Sequence, residues 1–132
     1  MITLEQYFGS KPHTEDQREN ASHLLAKVNA LLVFNRWQYP VDPDTGTSIS
    51  GARGGAGDGG FRLPLSTTGR SNSQHKQAHA VDVYDPKGEL DYLITDGLLQ
   101  VYELYREHPS KTIGWIHLQD VAPGSGNRTF IP

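Results

Sequence analysis

The chain has 132 residues, of which 36% are hydrophobic and 20% are charged, a size and composition that predict one globular domain spanning residues 1–132. Its formal net charge of −3 at pH 7 lacks the positive excess that nucleic-acid-binding proteins use, so we expect no nucleic-acid partner. It has no cysteine, which excludes disulfide bonds and thiolate metal sites and leaves His, Asp and Glu as possible metal ligands.

The first residues lack the basic start, apolar run and cleavage site of a secretory signal peptide. No apolar stretch is long enough to span a bilayer. We therefore expect synthesis as a soluble cytoplasmic protein without membrane insertion, and a substrate outside the cytoplasm would require delivery by another agent.

Two helices are predicted in the first third of the chain. Thr3 is a suitable N-cap for a short helix that ends near Gly9. Residues 14–34 carry acids in the first turn and apolar residues at helical spacing, which predicts a long helix. A turn-rich segment follows, including the Gly-rich stretch 52–60, which lacks the Lys-Ser/Thr ending of a phosphate-binding loop.

The second half of the chain alternates strands and turns around one further predicted helix. Residues 80–84 form a predicted strand with its valines on one face and Asp82 on the other. Residues 90–108 have leucines at mostly helical spacing and precede Pro109, which predicts a helix.

Two more strands are predicted before the C-terminal proline. Residues 112–119 place Trp115 and His117 on one face of a strand and Ile116 with Leu118 on the other. Residues 129–131 predict a short edge strand. The expected fold is α+β: a small antiparallel sheet with helices 14–34 and 90–108 packed on it.

His75, Asp82 and His117 are the candidate metal ligands. Two imidazoles and one carboxylate are the ligand set of a catalytic zinc site that keeps one coordination position for water. His75 and His79 also have the spacing of the helical zinc-protease motif, but that motif requires Glu where Lys76 stands. We therefore expect His75 as the ligand and His79 as a residue that flanks the site or supports a ligand from outside.

The residues around these ligands follow a known pattern, Ser-x-His-x-x-Gly-x-Ala-x-Asp, with a later Trp-x-His-like strand. Ser73, His75, Ala80, Asp82 and His117 match it. The chain thus resembles the zinc D-Ala-D-Ala carboxypeptidase and L-alanyl-D-glutamate endopeptidase family, which shares its fold with the hedgehog signalling domain. The ending 125–132 resembles that of small phage-encoded members.

The resemblance implies a zinc metallopeptidase that hydrolyses peptidoglycan stem peptides. It would act as a phage endolysin or a virion-associated wall hydrolase, with delivery to the cell wall by a holin or the virion. Arg62 resembles the family arginine that grips the substrate carboxylate, with Arg53 and Arg70 as rivals and a solvated loop arginine as the alternative. Ser73 and Trp115 are further substrate-binding candidates, and Trp37 could wall the same cleft.

The sequence departs from the family pattern at two positions. Ala78 replaces the glycine, and Gly114 stands three residues before His117, where the family has its catalytic carboxylate. Glu107 and Asp120 are the candidate substitutes for that acid, with Glu103 and Asp58 behind them.

Gly114 keeps a second interpretation open. The chain would then be a catalytically impaired zinc-binding module with a structural or wall-binding role in a phage particle. A third interpretation is a globular protein without metal, in which His75 and His117 are polar packing residues. The oligomeric state has no signal in the sequence.

Overall fold

The chain folds into an α+β arrangement in which one face of a four-stranded sheet packs on the core and the other faces a cleft. The structure, a computed structural model, describes residues 1–51, 58–68, 70 and 72–132. Arg53 and most of the Gly-rich stretch lie outside these residues. The elements are α1 (Leu4–Phe8), α2 (Glu15–Phe34), β1 (Ala80–Tyr84), α3 (Glu89–Leu93), α4 (Asp96–Val101), β2 (Tyr105–Glu107), β3 (Trp115–Gln119) and β4 (Thr129–Phe130), with 3-10 turns at Gln74–Gln77 and Pro109–Lys111.

Both N-terminal helices begin where the sequence predicts. The side chains of Thr3 and Thr14 each accept a hydrogen bond from the backbone N–H three residues on. The side-chain oxygen of the glutamine at that position accepts one from the backbone N–H of the cap. These capping boxes satisfy amide groups that the first turn leaves free. α1 leads into Gly9 at φ +57°, and the buried face of α2 contributes Leu24, Val28 and Leu31 to the core.

The sheet has the order β1-β3-β2-β4. β3 pairs antiparallel with both β1 and β2, whereas β4 pairs parallel with β2. The expected purely antiparallel sheet is therefore wrong, and the sheet is mixed. The chain reverses direction after β3 and passes to the far side of β2, so β4 runs antiparallel to β3 and hence parallel to β2.

The predicted helix over residues 90–108 is also wrong. The segment forms α3, α4 and β2, because Ile94 is extended and the Thr95 side chain accepts a hydrogen bond from Leu98 N, which starts a new helix. Glu103 at φ +57° then turns the chain into β2. Leu90, Leu99 and Leu104 are still buried in the core, and their spacing is compatible with one helix.

The two faces of the central strands divide as predicted. Val81 and Val83 of β1, with Ile116 and Leu118 of β3, are fully buried in the hydrophobic core. The residues between them point to the opposite face, because side chains alternate along a strand. That face therefore carries the polar groups of the candidate site.

A glycine pair runs along the edge of β1 and connects it to α1. Gly59 O accepts from Asp82 N at 2.7 Å, and Ser50 N donates to Asp82 O at 2.9 Å. A Cβ at Gly59 would overlap the Ser50 carbonyl oxygen, and one at Gly60 would lie 2.5 Å from Tyr7 O. Only glycine therefore fits this close backbone approach.

Among residues 1–51, 58–68, 70 and 72–132, no helix combines the length and apolar character needed to cross a bilayer.

Candidate metal centre

His75, Asp82 and His117 meet on the polar face of the sheet. Asp82 and His117 are directly paired across β1 and β3, and His75 comes from the 3-10 turn that precedes β1. All three are buried, and one ligand atom from each lies within 4.8 Å of the others. The three residues therefore form a group that can hold a metal ion.

One carboxylate oxygen is the meeting point of the two imidazoles. Asp82 Oδ1 lies 2.9 Å from His117 Nδ1 and 3.3 Å from His75 Nε2, and the two ring centroids are 5.1 Å apart. Each residue thus aims a possible ligand atom at the same small volume.

The turn that carries His75 is built by its neighbours. Ser73 caps it by accepting from His75 N at 3.3 Å, and Ala78 ends it in the left-handed conformation at φ +61°. Glycine adopts that conformation most easily, which gives a physical reason for the glycine of the family pattern. Ala78 nevertheless completes the same turn here.

The tautomer of His75 follows from its contact with Gly60. Nδ1 lies 2.9 Å from the Gly60 carbonyl oxygen, which only accepts, so Nδ1 carries the proton. Nε2 then presents a lone pair, and it is buried with no hydrogen-bond partner among the described residues. A buried nitrogen of this kind fits a metal ligand, because metal-binding histidines commonly donate their other N–H to a carbonyl.

Burial and charge set the protonation of the group. Burial lowers the pKa of His75, which favours the neutral imidazole that a metal requires. Burial alone would raise the pKa of Asp82, but the imidazoles of His75 and His117 hold it below its usual range. Burial would lower the pKa of His117, but the hydrogen bond to Asp82 and the charge of that carboxylate, together with Glu107 and Gln119, outweigh burial and raise that pKa.

Arg62 lies behind Asp82 and is 8% exposed. Its Nη2 lies 3.6 Å from Asp82 Oδ2, Nε donates to Asp58 O at 2.7 Å, and Nη1 donates to Thr68 O at 3.4 Å. The alternative of a solvated loop arginine is therefore wrong. These contacts hold the guanidinium at the cleft wall and orient the carboxylate of Asp82.

A cleft of about 680 Å³ opens beside the three candidate ligands. Ser73 and Trp115, the candidate substrate-binding residues, both line it. Trp37 does not wall it and packs against the hydrophobic core instead. The charged residues of its lining are Arg62, Arg70, Asp82, Glu107 and Lys111.

Of the two candidate acids, only Glu107 faces the cleft. Continuing the register that pairs Arg106 with Leu118 brings Glu107 of β2 opposite His117. Its Oε2 lies 3.9 Å from His117 Nδ1, and its side chain is 23% exposed. Glu107, His117 and Asp82 therefore form a row across three adjacent strands.

The other acids are engaged elsewhere. Asp120 Oδ1 lies 2.8 Å from His79 Nδ1, and neither residue is part of the cleft lining. His79 thus flanks the centre and ties the start of β1 to the end of β3. Glu103 lies 3.4 Å from Lys27 on the surface, and Asp58 accepts from the Thr68 hydroxyl at 2.9 Å.

Two groups at the centre were missed by the sequence analysis. The Gly60 carbonyl contacts His75, and the Gln119 side chain contacts His117 Nε2 at 2.8 Å. Strand alternation places Gln119 on the same face as His117 and could have identified it. No pattern in the sequence signals a backbone carbonyl contact.

Comparison of this chain with protein-family models, curated proteins and solved structures found no match in any of the three.

Proposed function

We propose that this chain is a zinc metallopeptidase that hydrolyses peptidoglycan stem peptides, as a carboxypeptidase or an endopeptidase. The observation that carries the proposal is the buried His75–Asp82–His117 group beside a cleft, in which His75 Nε2 makes no hydrogen bond among the described residues and lies 3.3 Å from Asp82 Oδ1. Zinc is the metal of choice because it accepts two imidazoles and one carboxylate and keeps a fourth position open.

The chemistry divides between the metal and the chain. A zinc ion held here would polarise the scissile carbonyl and make a water molecule more acidic. Glu107 then accepts the proton of the attacking water and delivers it to the leaving amine, as a general base and acid. Its position on β2, 3.9 Å from His117 Nδ1, supports this role. Glu107 would thus supply the carboxylate that Gly114 lacks.

The charges of the cleft favour an anionic peptide. Three cations, Arg62, Arg70 and Lys111, outnumber the two carboxylates of its lining, Asp82 and Glu107, and guanidinium and ammonium groups bind carboxylates well. Arg62 orients the substrate carboxylate and Asp82 together. The protein would reach the wall as an endolysin released through a holin, or as part of a virion.

A second candidate function is a zinc-binding structural or wall-binding module without activity. Gly114 favours it, because the position of the family acid has no carboxylate. Around Gly114 the space that a Cβ would enter is open.

Metal analysis and a wall-turbidity assay separate these functions. We expect one zinc ion per chain, clearing of a cell-wall suspension, loss of clearing with a chelator, and recovery on adding zinc. Mass spectrometry of the released fragments identifies the bond that is cut. Zinc without clearing would support the wall-binding module, and a chain that binds no zinc would overturn both functions.

A further inference from the structure

We propose that Gln119 is a positioning residue that keeps Nδ1 of His117 available to the metal. The inference rests on the metal centre proposed above and adds a residue that the ligand pattern does not include. Gln119 lies on β3, two residues after His117, and is 5% exposed.

The orientation of the Gln119 amide is set by the hydrogen bond that its nitrogen makes with Val121. Its Nε2 donates to the Val121 carbonyl oxygen at 2.7 Å, and a carbonyl can only accept. The amide oxygen Oε1 must therefore be the atom that lies 2.8 Å from His117 Nε2. Because Oε1 also only accepts, His117 Nε2 must carry a proton.

This contact favours the neutral tautomer of His117 that a metal at Nδ1 requires. Nδ1 lies 2.9 Å from Asp82 Oδ1, which also only accepts, so in the metal-free chain Nδ1 donates to that carboxylate. A metal ion at the centre would replace this proton, and the proton that Gln119 holds on Nε2 would leave the lone pair on Nδ1. Without Gln119, the Asp82 carboxylate would attract the single proton to Nδ1, because a charged acceptor forms the stronger hydrogen bond. That tautomer has no lone pair for the metal, so binding would first require its conversion.

His75 has the same arrangement through a backbone group. The Gly60 carbonyl holds the proton on Nδ1 and leaves Nε2 for the metal. The difference is that His117 depends on a side chain, which mutation can remove. Gln119 is thus the place where the tautomer mechanism can be tested without altering a metal ligand.

The test compares zinc affinity in the wild type, Gln119→Leu, Gln119→Glu and Gln100→Leu, by competition with a chromophoric chelator. Gln119→Leu keeps the approximate volume and removes the acceptor, so its zinc Kd should rise about 10–100-fold. Gln119→Glu keeps an acceptor for His117 Nε2, so its Kd should lie closer to the wild-type value. Gln100 is exposed on α4, and its variant should bind zinc like the wild type.

Nitrogen NMR of the histidine rings reports which ring nitrogen carries the proton. A purely structural role of Gln119 would leave that tautomer unchanged. In the zinc-loaded wild type, His117 should show a protonated Nε2 and a ligating Nδ1, whereas His75 should show the reverse. In metal-free Gln119→Leu, the neutral ring of His117 should shift toward protonated Nδ1.

The outcomes distinguish this inference from the proposed function. A wild type that binds no zinc overturns both. A wild type that binds zinc while folded Gln119→Leu binds equally well overturns the role of Gln119 alone. If Gln119→Leu fails to fold by circular dichroism, the wild-type NMR decides, and ligation through Nε2 of His117 overturns the inference.

Discussion

Asp82 Oδ1 contacts both imidazoles, so each of the three residues is needed to complete the centre. Since three ligands leave no redundancy, replacing any one removes a third of the protein coordination. Single substitutions of these three residues therefore test the metal prediction most directly.

We expect His75→Ala, Asp82→Ala and His117→Ala to lose stoichiometric zinc, measured by elemental analysis after dialysis. His23→Ala is the matched control, because His23 is exposed on α2 and its variant should keep the metal. Full zinc content in a folded ligand variant would contradict the assignment of that residue.

Glu107→Gln tests the proposed general base. Removing the carboxylate should lower the wall-clearing rate by about 10²–10⁴-fold, because the proton transfer loses its agent. Zinc content should stay unchanged. Glu103→Gln changes an exposed acid and should keep activity. Undiminished clearing by Glu107→Gln would mean that another group is the general base. Asp120→Asn would then test the other candidate acid.

At the scale of elements, Thr95 decides whether residues 90–108 form one helix or several elements. As an N-cap it accepts from Leu98 N, so Thr95→Ala should lower the free energy of unfolding by about 0.5–2 kcal/mol. In the middle of a continuous helix the same change would stabilise the protein, because alanine has the higher helix propensity. The sign of the change in unfolding free energy, measured by urea denaturation, therefore distinguishes an N-cap from a position inside one helix. As the control, Thr67→Ala on an exposed loop should have little effect.

The glycine pair beside β1, Gly59 and Gly60, gives a second prediction about how the elements pack. A Cβ at Gly59 would meet backbone that cannot move aside, so Gly59→Ala should cost about 1–3 kcal/mol of unfolding free energy through overpacking. It should also weaken zinc binding, because the adjacent Gly60 carbonyl orients His75. Gly124→Ala, with open space around its Cβ, is the control, and equal stability of both variants would refute the close approach.

For the whole molecule, a metal ion bound at this group would couple to folding. The ligands come from a turn and two strands that meet only in the folded state, so zinc should bind the native state far better than the unfolded chain. At a free zinc concentration of 100 Kd the gain is about 2.7 kcal/mol, which for a domain of this size corresponds to roughly 10 °C in Tm.

Calorimetry with zinc and with a chelator measures this difference in Tm. His117→Ala should unfold at the same temperature in both conditions, because its centre is incomplete. A wild-type Tm that does not respond to the chelator would mean that the metal contributes nothing to the native state.

Much of the framework could be predicted because its causes are local. Thr3 and Thr14 cap helices through residues three positions away, and alternation along β1 and β3 assigns Val81 to the core and Asp82 to the polar face. The meeting of Asp82 with His117 followed from the same alternation once the two strands were assumed to be neighbours.

The remaining features depend on contacts between distant parts of the chain. The spacing of the leucines after Leu90 is compatible both with one helix and with the short elements observed. The position of Glu107 on β2 beside His117 therefore depends on packing and could not be predicted from that spacing. The parallel pairing of β4 and the burial of Arg62 likewise arise from the path of the folded chain.

The candidate ligands, the N-terminal helices and the faces of the central strands could be inferred from residue order alone, because capping and alternation act over a few residues. The acid that faces the cleft and the groups that hold the second nitrogen of each imidazole depend on the folded path of the chain. Those partners are selected by distance in space, which residue spacing along the chain does not encode.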